Sequence, residues 1–266
     1  DRPAMSAPLV VLGAGGRLGR LLAPAWPGDV VQHTRHSVDI LDRTALVAAL
    51  RGARAVLCLA GVTHGADRPM SLNATLAQLT LDAAAAAQCG RVFLMSSAAV
   101  YGRQSGLLNE ATVPAPLTDY GQSKLRMEQM AAVHSHPNTV LRLGNVAGAD
   151  AILGGWAPGF ALDVLPDGGT PERSYIGPRT LVRVLHTLAT VDDLPPVLNV
   201  AAPGAVAMGD LLDAAGLVWS PRAPDADVIA KVTLDTALLS TFIDWQPQDS
   251  TAHAMVQEWR GLTGRT

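Results

Sequence analysis

Short apolar runs alternate along the chain with longer segments in which apolar residues recur every three or four positions. Runs rich in valine, leucine and isoleucine predict strands that are buried on both faces. The predicted strands cover residues 9–12, 30–34, 55–60, 91–96, 139–143 and 197–200. The predicted helices cover residues 16–25, 43–50, 72–89, 120–134, 180–190, 208–215 and 251–261. This alternation predicts an α/β fold with a doubly wound parallel sheet.

The pattern weakens in the second half of the chain. Residues 148–179 are rich in glycine and proline, and after residue 201 helices predominate over strands. We therefore expect a main domain over residues 5–147 and a small C-terminal lobe within residues 148–266. The lobe is interleaved with the main sheet, because residues 197–200 still have the pattern of a sheet strand. Residues 1–4, before Met5, are expected to be an appended remnant.

Composition and charge exclude several classes of function. The 266 residues are 48% hydrophobic and 16% charged, with a mean hydropathy of +0.22, as in a compact folded protein. The net charge of −3 provides no positive field for nucleic acid or an anionic membrane. No apolar stretch approaches the ~20 residues of a membrane helix, and no secretory signal is recognisable. Cys58 and Cys89 lack the spacing of a zinc site. We expect a cytoplasmic protein without nucleic-acid or membrane partners.

Glycines at three-residue spacing follow the first predicted strand. Gly13, Gly16 and Gly19 lie where this strand gives way to a helix. Glycine permits a tight turn and lets the backbone approach a pyrophosphate, whose charge is met by the amides at the helix N-terminus. An ordinary turn could carry the same triplet, but the order of strand, glycines, helix and strand favours a dinucleotide site. Residues 5–147 are therefore predicted to form a dinucleotide-binding domain.

A tyrosine and a lysine lie one helical turn apart in the segment that begins at Tyr120. Tyr120 and Lys124 fall on the same helix face. A phenol with a pKa near ~10 becomes a useful acid or base at neutral pH only when a cation stabilises its phenolate. Ser97 follows a buried strand, so its hydroxyl can reach the same edge of the sheet. The three side chains together predict a proton-transfer site.

These features resemble the extended short-chain dehydrogenase/reductase family, that is, the NAD-dependent epimerase/dehydratases. The resemblance rests on the three glycines, Ser97 in the segment S-S-A-A-V-Y-G and Tyr120-x-x-x-Lys124. It runs almost from end to end and implies a Rossmann fold. Further agreements are Asp39-Ile40, Leu59-Ala60-Gly61, Asn73, Asn109-Glu110, Pro116, residues 141–146, Asn199-Val200, Asp235 and Trp245-Gln246-Pro247.

The resemblance implies roles for individual residues. Tyr120 would be the general acid/base, Lys124 would hold the nicotinamide ribose and lower the pKa of Tyr120, and Ser97 would hydrogen-bond the reacting oxygen. The implied cofactor-binding residues are Gly13, Gly16, Arg17, Leu18, Gly19, Asp39, Ile40, Leu59, Ala60, Gly61, Asn73 and Lys124. The implied substrate-binding residues are Ser97, Asn145, Arg173 and Arg222, with the two arginines facing the phosphates of a nucleotide-sugar.

The resemblance also narrows the reaction. In the family's sugar-nucleotide 4,6-dehydratases an Asp and a Glu follow the position of Ser97, whereas this chain has Ala98 and Ala99. We therefore expect no 4,6-dehydratase. An NAD(P)-dependent epimerase or oxidoreductase acting on a sugar or nucleotide-sugar hydroxyl or ketone needs only the serine, tyrosine and lysine. The alternatives are an NADPH-dependent reductase of a 4-keto-sugar nucleotide or another small ketone, and a non-catalytic dinucleotide sensor.

The residues after the second strand bear on the choice of cofactor. NAD enzymes carry a carboxylate there for the ribose 2'-hydroxyl, whereas this chain reads Gln32-His33-Thr34-Arg35. Arg35, assisted by Arg17, can pair with a 2'-phosphate, although a solvated arginine would give the same sequence. We therefore expect NADP in preference to NAD.

Substrate size, assembly and metal content complete the expectations. The family's His-Val-x-Asp is replaced by residues 177–180, and residues 145–173 are short for a nucleotide-sugar epimerase, so a smaller substrate stays open. The resemblance implies a homodimer formed by the helices that begin at Leu72 and Tyr120. Histidines near strand and helix ends lack convergent carboxylates, so no metal site is expected.

Overall fold

The computed structural model of the protein describes residues 7–63 and 67–265. Residues 1–4 and the first two residues of the predicted domain lie outside them. The strands are β1 (Leu9–Leu12), β2 (Val30–His33), β3 (Ala55–Cys58), β4 (Arg91–Ser97), β5 (Gly106–Leu108), β6 (Asn138–Leu143), β7 (Asn145–Val146), β8 (Ala161–Asp163), β9 (Glu172–Arg173), β10 (Tyr175–Ile176), β11 (Val197–Val200), β12 (Val206–Ala207), β13 (Ser220–Arg222) and β14 (Lys231–Leu234). The helices are α1 (Arg17–Leu22), α2 (Arg43–Leu50), α3 (Leu72–Ala87), α4 (Asp119–Val133), α5 (Pro178–Leu188), α6 (Met208–Ala214) and α7 (Ala252–Thr263).

Six parallel strands form the main sheet in the order β11-β6-β4-β3-β1-β2. Leu9 of β1 lies opposite Val30 of β2 on one side and Ala55 of β3 on the other. The chain moves outward from β1 to β2 and then crosses back to β3, so the winding reverses between β1 and β3. The predicted doubly wound parallel sheet is confirmed. Its reversal point opens a crevice at the carboxyl ends of β1 and β3, next to the glycine turn.

Each face of the sheet packs against its own layer of helices, because neighbouring residues in a strand point to opposite faces. In β1, Leu9 and Val11 join the core that includes buried residues of α1, α5, α6 and α7. Val10 and Leu12 join the core formed with α2, α3 and α4. Because both faces of the sheet are covered, consecutive residues of a strand are apolar, and the sequence shows continuous apolar runs.

The short strands build smaller sheets around the carboxyl edge of the main sheet. One has the order β12-β9-β14-β5, and the pairs β10-β7 and β13-β8 form two more. Strand β5 follows β4 in the chain yet pairs with β14, so residues 231–234 form a sheet with a segment from the first half of the chain. The boundary between residues 147 and 148 stays a prediction. No helix in the described residues is long and apolar enough to cross a bilayer.

The structure departs from the predicted element boundaries where single residues interrupt the backbone pattern. Helix α1 ends at Leu22 and continues as a 3-10 turn, since Pro24 has no N–H to donate. Helix α3 ends at Ala87 because Gln88 adopts a left-handed conformation with φ of 53°. The strands of two to four residues outside the main sheet were not predicted, because they are too short to show a two-residue period.

Candidate active site

The three glycines of the turn after β1 differ in how closely other atoms approach the position of a Cβ. Gly13 has φ of +78°, and a Cβ there would lie 2.4 Å from the backbone nitrogen of Ala60. A Cβ at Gly19 would lie 2.6 Å from the Cα of Ala14. At the exposed Gly16 a Cβ would meet only the Gly13 carbonyl oxygen, at 3.5 Å, which is an ordinary contact. The fold therefore requires Gly13 and Gly19, whereas Gly16 leaves open backbone at the start of α1.

Two cavities meet at this turn. The first has a volume of about 290 Å³ and lies toward the end of β2, and the second has about 320 Å³ and lies toward the ends of β4 and β6. Both are lined by Gly13, Gly16, Leu59 and Gly61. The two cavities therefore form a continuous groove across the point where the winding of the sheet reverses, which is where open α/β sheets bind ligands.

Predicted cofactor residues divide between these cavities. The first is also lined by Arg35, Asp39, Ile40 and Ala60. The second is also lined by Arg17, Leu18, Gly19 and Lys124, together with the predicted substrate residues Ser97 and Asn145. The structure thus brings together residues that are up to 132 positions apart in the chain, from Gly13 to Asn145.

Ser97 and Tyr120 meet in the second cavity. Ser97 is the last residue of β4, and its Oγ accepts a hydrogen bond of 3.1 Å from the Ala99 amide, which fixes the side chain at the strand end. Helix α4 begins beside it, capped by Thr118, whose Oγ1 accepts from the Gly121 amide at 3.0 Å. The partly buried Tyr120 hydroxyl is hydrogen-bonded to Ser97. Two caps therefore hold the serine and the tyrosine in contact.

Burial sets the acidity of Tyr120. It raises the pKa of the phenol above its ordinary value of 10.0, and the hydrogen bond with Ser97 offsets only part of that effect. This direction corrects the expectation that Lys124 holds the pKa of Tyr120 below its usual range. The physical reason is that desolvation of the phenol is the largest effect on its pKa. The Lys124 ammonium lies 5.8 Å from the tyrosine ring centroid and donates a hydrogen bond to the Met95 carbonyl oxygen.

Lys124 is a buried cation. Its side chain is 6% exposed, and its Nζ donates to the Met95 carbonyl oxygen at 2.8 Å. Desolvation lowers the pKa of Lys124 from 10.5 to about 8, and the opposing effects of Cys58 and Glu128 are smaller. A Cβ at Gly61 would lie 3.2 Å from this Nζ, so the ammonium lies directly beside the groove.

Asn73 lies behind the groove rather than along its lining. Its Oδ1 accepts from the Val62 amide at 2.8 Å, and its Nδ2 donates to the Val62 carbonyl at 3.0 Å and to Ser123 Oγ at 2.9 Å. The side chain thereby joins the loop after β3 to α3 and α4. A Cβ at Gly61 would lie 2.8 Å from Asn73 Oδ1. Asn73 therefore shapes the backbone that lines the groove.

A buried ion pair lies beneath the site. Arg142 of β6 and Glu128 of α4 are 5% and 6% exposed, and the closest N–O distance between them is 2.8 Å. Glu128 also accepts a 2.6 Å hydrogen bond from Ser96. On its other side Arg142 donates to the Tyr101 hydroxyl at 3.1 Å, and that hydroxyl donates to Asn199 at 2.7 Å. The sequence did not single out Glu128, because its partners come from distant strands.

The predicted substrate residues have different surroundings. Asn145 lines the second cavity and its side chain is hydrogen-bonded to Tyr175. Arg173 is partly buried, donates to the Glu172 carbonyl at 2.7 Å and forms no ion pair with any described residue. Arg222 is exposed, and its Nε donates to Asp163 at 2.7 Å. Neither arginine lines either of the two cavities.

Among the groove residues that were not predicted from the sequence, two carry a charged side chain. Arg68 lines the first cavity from the loop before α3. Asp150 lines the second, where its carboxylate accepts from backbone amides of its own loop and from the Tyr175 hydroxyl at 2.7 Å. Both lie in irregular segments without periodic pattern or recognised motif. Within residues 7–63 and 67–265 no group of three metal-ligating side chains could hold a metal ion.

Comparison with known proteins gives consistent matches. A model of the NAD dependent epimerase/dehydratase family matches residues 9–201. The UDP-glucose 4-epimerase of Azospirillum brasilense is 36% identical over 127 residues, which span 43% of this chain and 35% of that protein. The aligned part is therefore about a third of the length of this curated relative.

Solved structures match over nearly the whole chain. A UDP-glucuronic acid 4-epimerase from Bacillus cereus, in complex with UDP-glucuronic acid and NAD, has a TM-score of 0.74 at 19% identity and covers 97% of this chain and 99% of that one. The Bordetella bronchiseptica enzyme WbmG with NAD and UDP has 0.73 at 18%, covering 97% and 95%. TunA, an NAD dependent NDP-hexosamine 5,6-dehydratase, has 0.72 at 18%, covering 96% and 98%. At these identities the likeness shows a common fold.

The buried Lys124 predicts a particular dependence of stability on pH. Its pKa is about 8 in the folded protein, whereas a lysine in the unfolded chain has the ordinary value of 10.5, so between these values the unfolded chain binds more protons. Relative to Lys124→Met, the free energy of unfolding of the wild type should therefore rise by about 3 kcal/mol from pH 8 to pH 10.5. Urea denaturation of both proteins across this range measures the difference. A flat difference would contradict the lowered pKa.

Proposed function

Because the chain belongs to the NAD dependent epimerase/dehydratase family, we propose that it is an NAD(P)-dependent epimerase or oxidoreductase with a Ser97, Tyr120 and Lys124 site. The observation that carries the proposal is the groove in which two cavities join at the glycine turn. One cavity ends at Arg35 and the other at the serine, tyrosine and lysine. A dinucleotide has two nucleotide halves joined by a pyrophosphate. One half would occupy each cavity, and the pyrophosphate would lie at the glycine turn between them.

The residues present fit such a cofactor. The exposed backbone at Gly16 and the start of α1 are suited to the pyrophosphate. Gly61 lies between the cavities, where a Cβ would fill space beside Lys124 and Asn73. A bound nicotinamide supplies hydride transfer to or from a substrate carbon. In this arrangement Arg35 and Asp39 hold the adenosine half, and Lys124 holds the ribose next to the nicotinamide.

The side chains of the second cavity would handle the proton. Tyr120 takes the proton of a substrate hydroxyl as it becomes a ketone and returns it in the reverse direction. Ser97, held at the end of β4, hydrogen-bonds the reacting oxygen and keeps it within reach of the tyrosine. The Lys124 ammonium stabilises negative charge at this end of the groove. Burial raises the pKa of Tyr120, so the phenol is protonated and can donate its proton to a ketone oxygen. To accept a proton from a substrate hydroxyl, it must first lose its own.

We assign the substrate to the nucleotide-sugars in the first instance. Arg173 is a partly buried guanidinium without a carboxylate partner among the described residues, and burial lowers its pKa. A partly buried cation without a carboxylate partner is suited to an anionic ligand such as a diphosphate. The B. cereus and B. bronchiseptica structures contain UDP-glucuronic acid or UDP, which makes a uridine diphosphate group the natural first choice for testing.

An NADPH-dependent ketone reductase is the alternative, and the first cavity favours it. Arg35 and Arg68 both line this cavity, and neither forms an ion pair within the described part of the chain. Two available guanidinium groups near the ribose end are suited to a 2'-phosphate. A 4,6-dehydratase is not favoured, because Ala98 and Ala99 follow Ser97 in the turn beside the site.

Tyr120→Phe should lower turnover by about 10² to 10⁴, the usual contribution of general acid/base catalysis, because it removes the ionisable oxygen and little volume. Dinucleotide binding should stay within a few-fold of the wild type, since the aromatic ring remains. The measurement is conversion of a panel of UDP- and dTDP-sugars, with product analysis for epimerisation and nicotinamide absorbance for net oxidation or reduction, followed by turnover on any that react. Near-normal turnover in this variant would remove Tyr120 from the mechanism.

Arg35→Ala should weaken NADP binding by about 1.5 to 3 kcal/mol and leave NAD binding almost unchanged, because a charge-assisted contact to the 2'-phosphate is lost. Arg68→Ala should have the same selective effect. Calorimetric titration with both dinucleotides measures it, and Arg51→Ala, an exposed arginine outside the cavities, is the matched control. Equal losses of binding free energy for NAD and NADP would show that these arginines do not contact the 2'-phosphate.

The nucleotide-sugar assignment predicts that UDP or dTDP raises the melting temperature while NADP saturates the dinucleotide site. The Arg173→Ala/Arg222→Ala variant should lose this effect and still bind NADP. The single variants divide the contribution, and we expect Arg173→Ala to weaken binding by about 10- to 100-fold as the half-buried cation is removed. If no pyrimidine diphosphate shifts the melting temperature under these conditions, the substrate is not a nucleotide-sugar, and the small-ketone alternative is favoured.

A further inference from the structure

Glu128 lies one helical turn beyond Lys124 on α4, and both side chains are 6% exposed. The ammonium has a backbone carbonyl as its hydrogen-bond acceptor, that of Met95. The carboxylate of Glu128 is held by Arg142 and by Ser96. A buried anion and a buried cation thus lie on one face of one helix without forming an ion pair with each other.

Glu128 also sets the position of α4 relative to β4. Ser96 Oγ donates to Glu128 Oε1 at 2.6 Å, and Ser96 immediately precedes Ser97. Arg142 of the neighbouring strand donates to both carboxylate oxygens, at distances from 2.8 to 3.2 Å. The carboxylate therefore fastens the helix that carries the tyrosine and the lysine to the strand that carries the serine.

Lys124 interacts with two groups that can carry a negative charge, Cys58 and Glu128. Of these two, Glu128 is the one that is charged where Lys124 titrates. Cys58 at the end of β3 is close enough to interact with the ammonium, but burial raises the pKa of this thiol, which is therefore neutral where Lys124 titrates. Burial likewise keeps the Tyr120 phenol neutral there. Arg142 lies beyond the carboxylate and carries a positive charge.

We propose that Glu128 is a positioning residue of the site, which fastens α4 to β4 beside Ser97 and whose carboxylate is the negative charge that faces Lys124 inside the protein. The direction in which Glu128 affects the pKa of Lys124 agrees with this role, since it opposes desolvation. The inference rests on the proposed catalytic role of Lys124. Its test, however, requires neither substrate nor dinucleotide, so it can fail independently of the proposed function.

The chain is well suited to a direct measurement, because it contains two lysines, Lys124 and the exposed Lys231. In protein labelled with ¹³C at lysine Cε, NMR should show two signals, which Lys231→Arg assigns. In the ligand-free wild type the Lys124 signal should titrate with a midpoint near pH 8. In Glu128→Gln this midpoint should fall by about one pH unit, the lower end of the effect of a nearby opposite charge. Glutamine keeps an oxygen that can accept from Ser96.

Three further variants make the result specific. Glu258→Gln, which removes a carboxylate that accepts from Thr180 on the other face of the sheet, should leave the midpoint unchanged. Cys58→Ser should also leave it unchanged, because the thiol is neutral. Glu128→Gln/Arg142→Met removes both charges of the pair and guards against failure of the single variant to fold. In this double variant the midpoint should still lie below that of the wild type.

Two results would overturn the proposal. One is a Lys124 midpoint in folded Glu128→Gln, or in the double variant, that equals that of the wild type. The other is a midpoint that moves in Cys58→Ser but stays in place in Glu128→Gln, which would make the thiolate the charge that faces Lys124. A loss of stability alone, with an unchanged midpoint, would reduce Glu128 to a residue of the fold.

Discussion

The buried ion pair between Glu128 and Arg142 is the interaction on which the architecture around the site depends. It joins α4 to β6, and the hydrogen bond of Glu128 with Ser96 adds β4. Arg142 continues through Tyr101 to Asn199, so the pair also connects the turn after β4 with β11. Removing one partner of such a pair typically costs about 3 to 5 kcal/mol, because the other charge is left buried and unpaired. This cost reflects the unpaired charge that is left behind, and it is not a net gain in stability from forming the pair.

The parallel sheet explains why the groove lies where it does. The carboxyl ends of all its strands face one edge, and the loops that leave β1, β3, β4 and β6 must cross there. Two of these loops approach so closely that Gly13 cannot carry a Cβ without touching Ala60. The loops after β1 and β3 are therefore in contact at the base of the groove. The winding reverses between these two strands, so their following helices lie on opposite faces of the sheet and leave the groove open. Geometry thus supplies the crevice, and the side chains at the strand ends supply its chemistry.

Local patterns made most of the sheet and part of the site predictable. Residues 9–12 and 197–200 were predicted with the bounds that the structure has. Residues 9–12 form a continuous apolar run that is buried on both faces, and residues 197–200 are apolar except for Asn199. Tyr120 and Lys124 were recognisable because one helical turn separates them. Spacing of this kind is visible in the linear sequence without any knowledge of tertiary contacts.

What could not be predicted depends on residues that are distant in the chain. Glu128 has no signal of its own, since Ser96 lies 32 residues before it and Arg142 14 residues after it. The acidity of Tyr120 was expected to follow its lysine neighbour, but it follows burial, which only the packed structure defines.

The burial of Lys124 connects stability with function. An ammonium that is 6% exposed and contacts a carbonyl oxygen has given up most of its hydration, which lowers its pKa and costs folding free energy. The same ammonium lies beside Gly61, a residue shared by both cavities, so a ligand that occupies the groove must pass next to it. A ribose hydroxyl or a developing alkoxide there would restore the missing interactions. A ligand of this kind would recover part of the cost of burying the cation, and its binding would then be coupled to the stability of the folded chain.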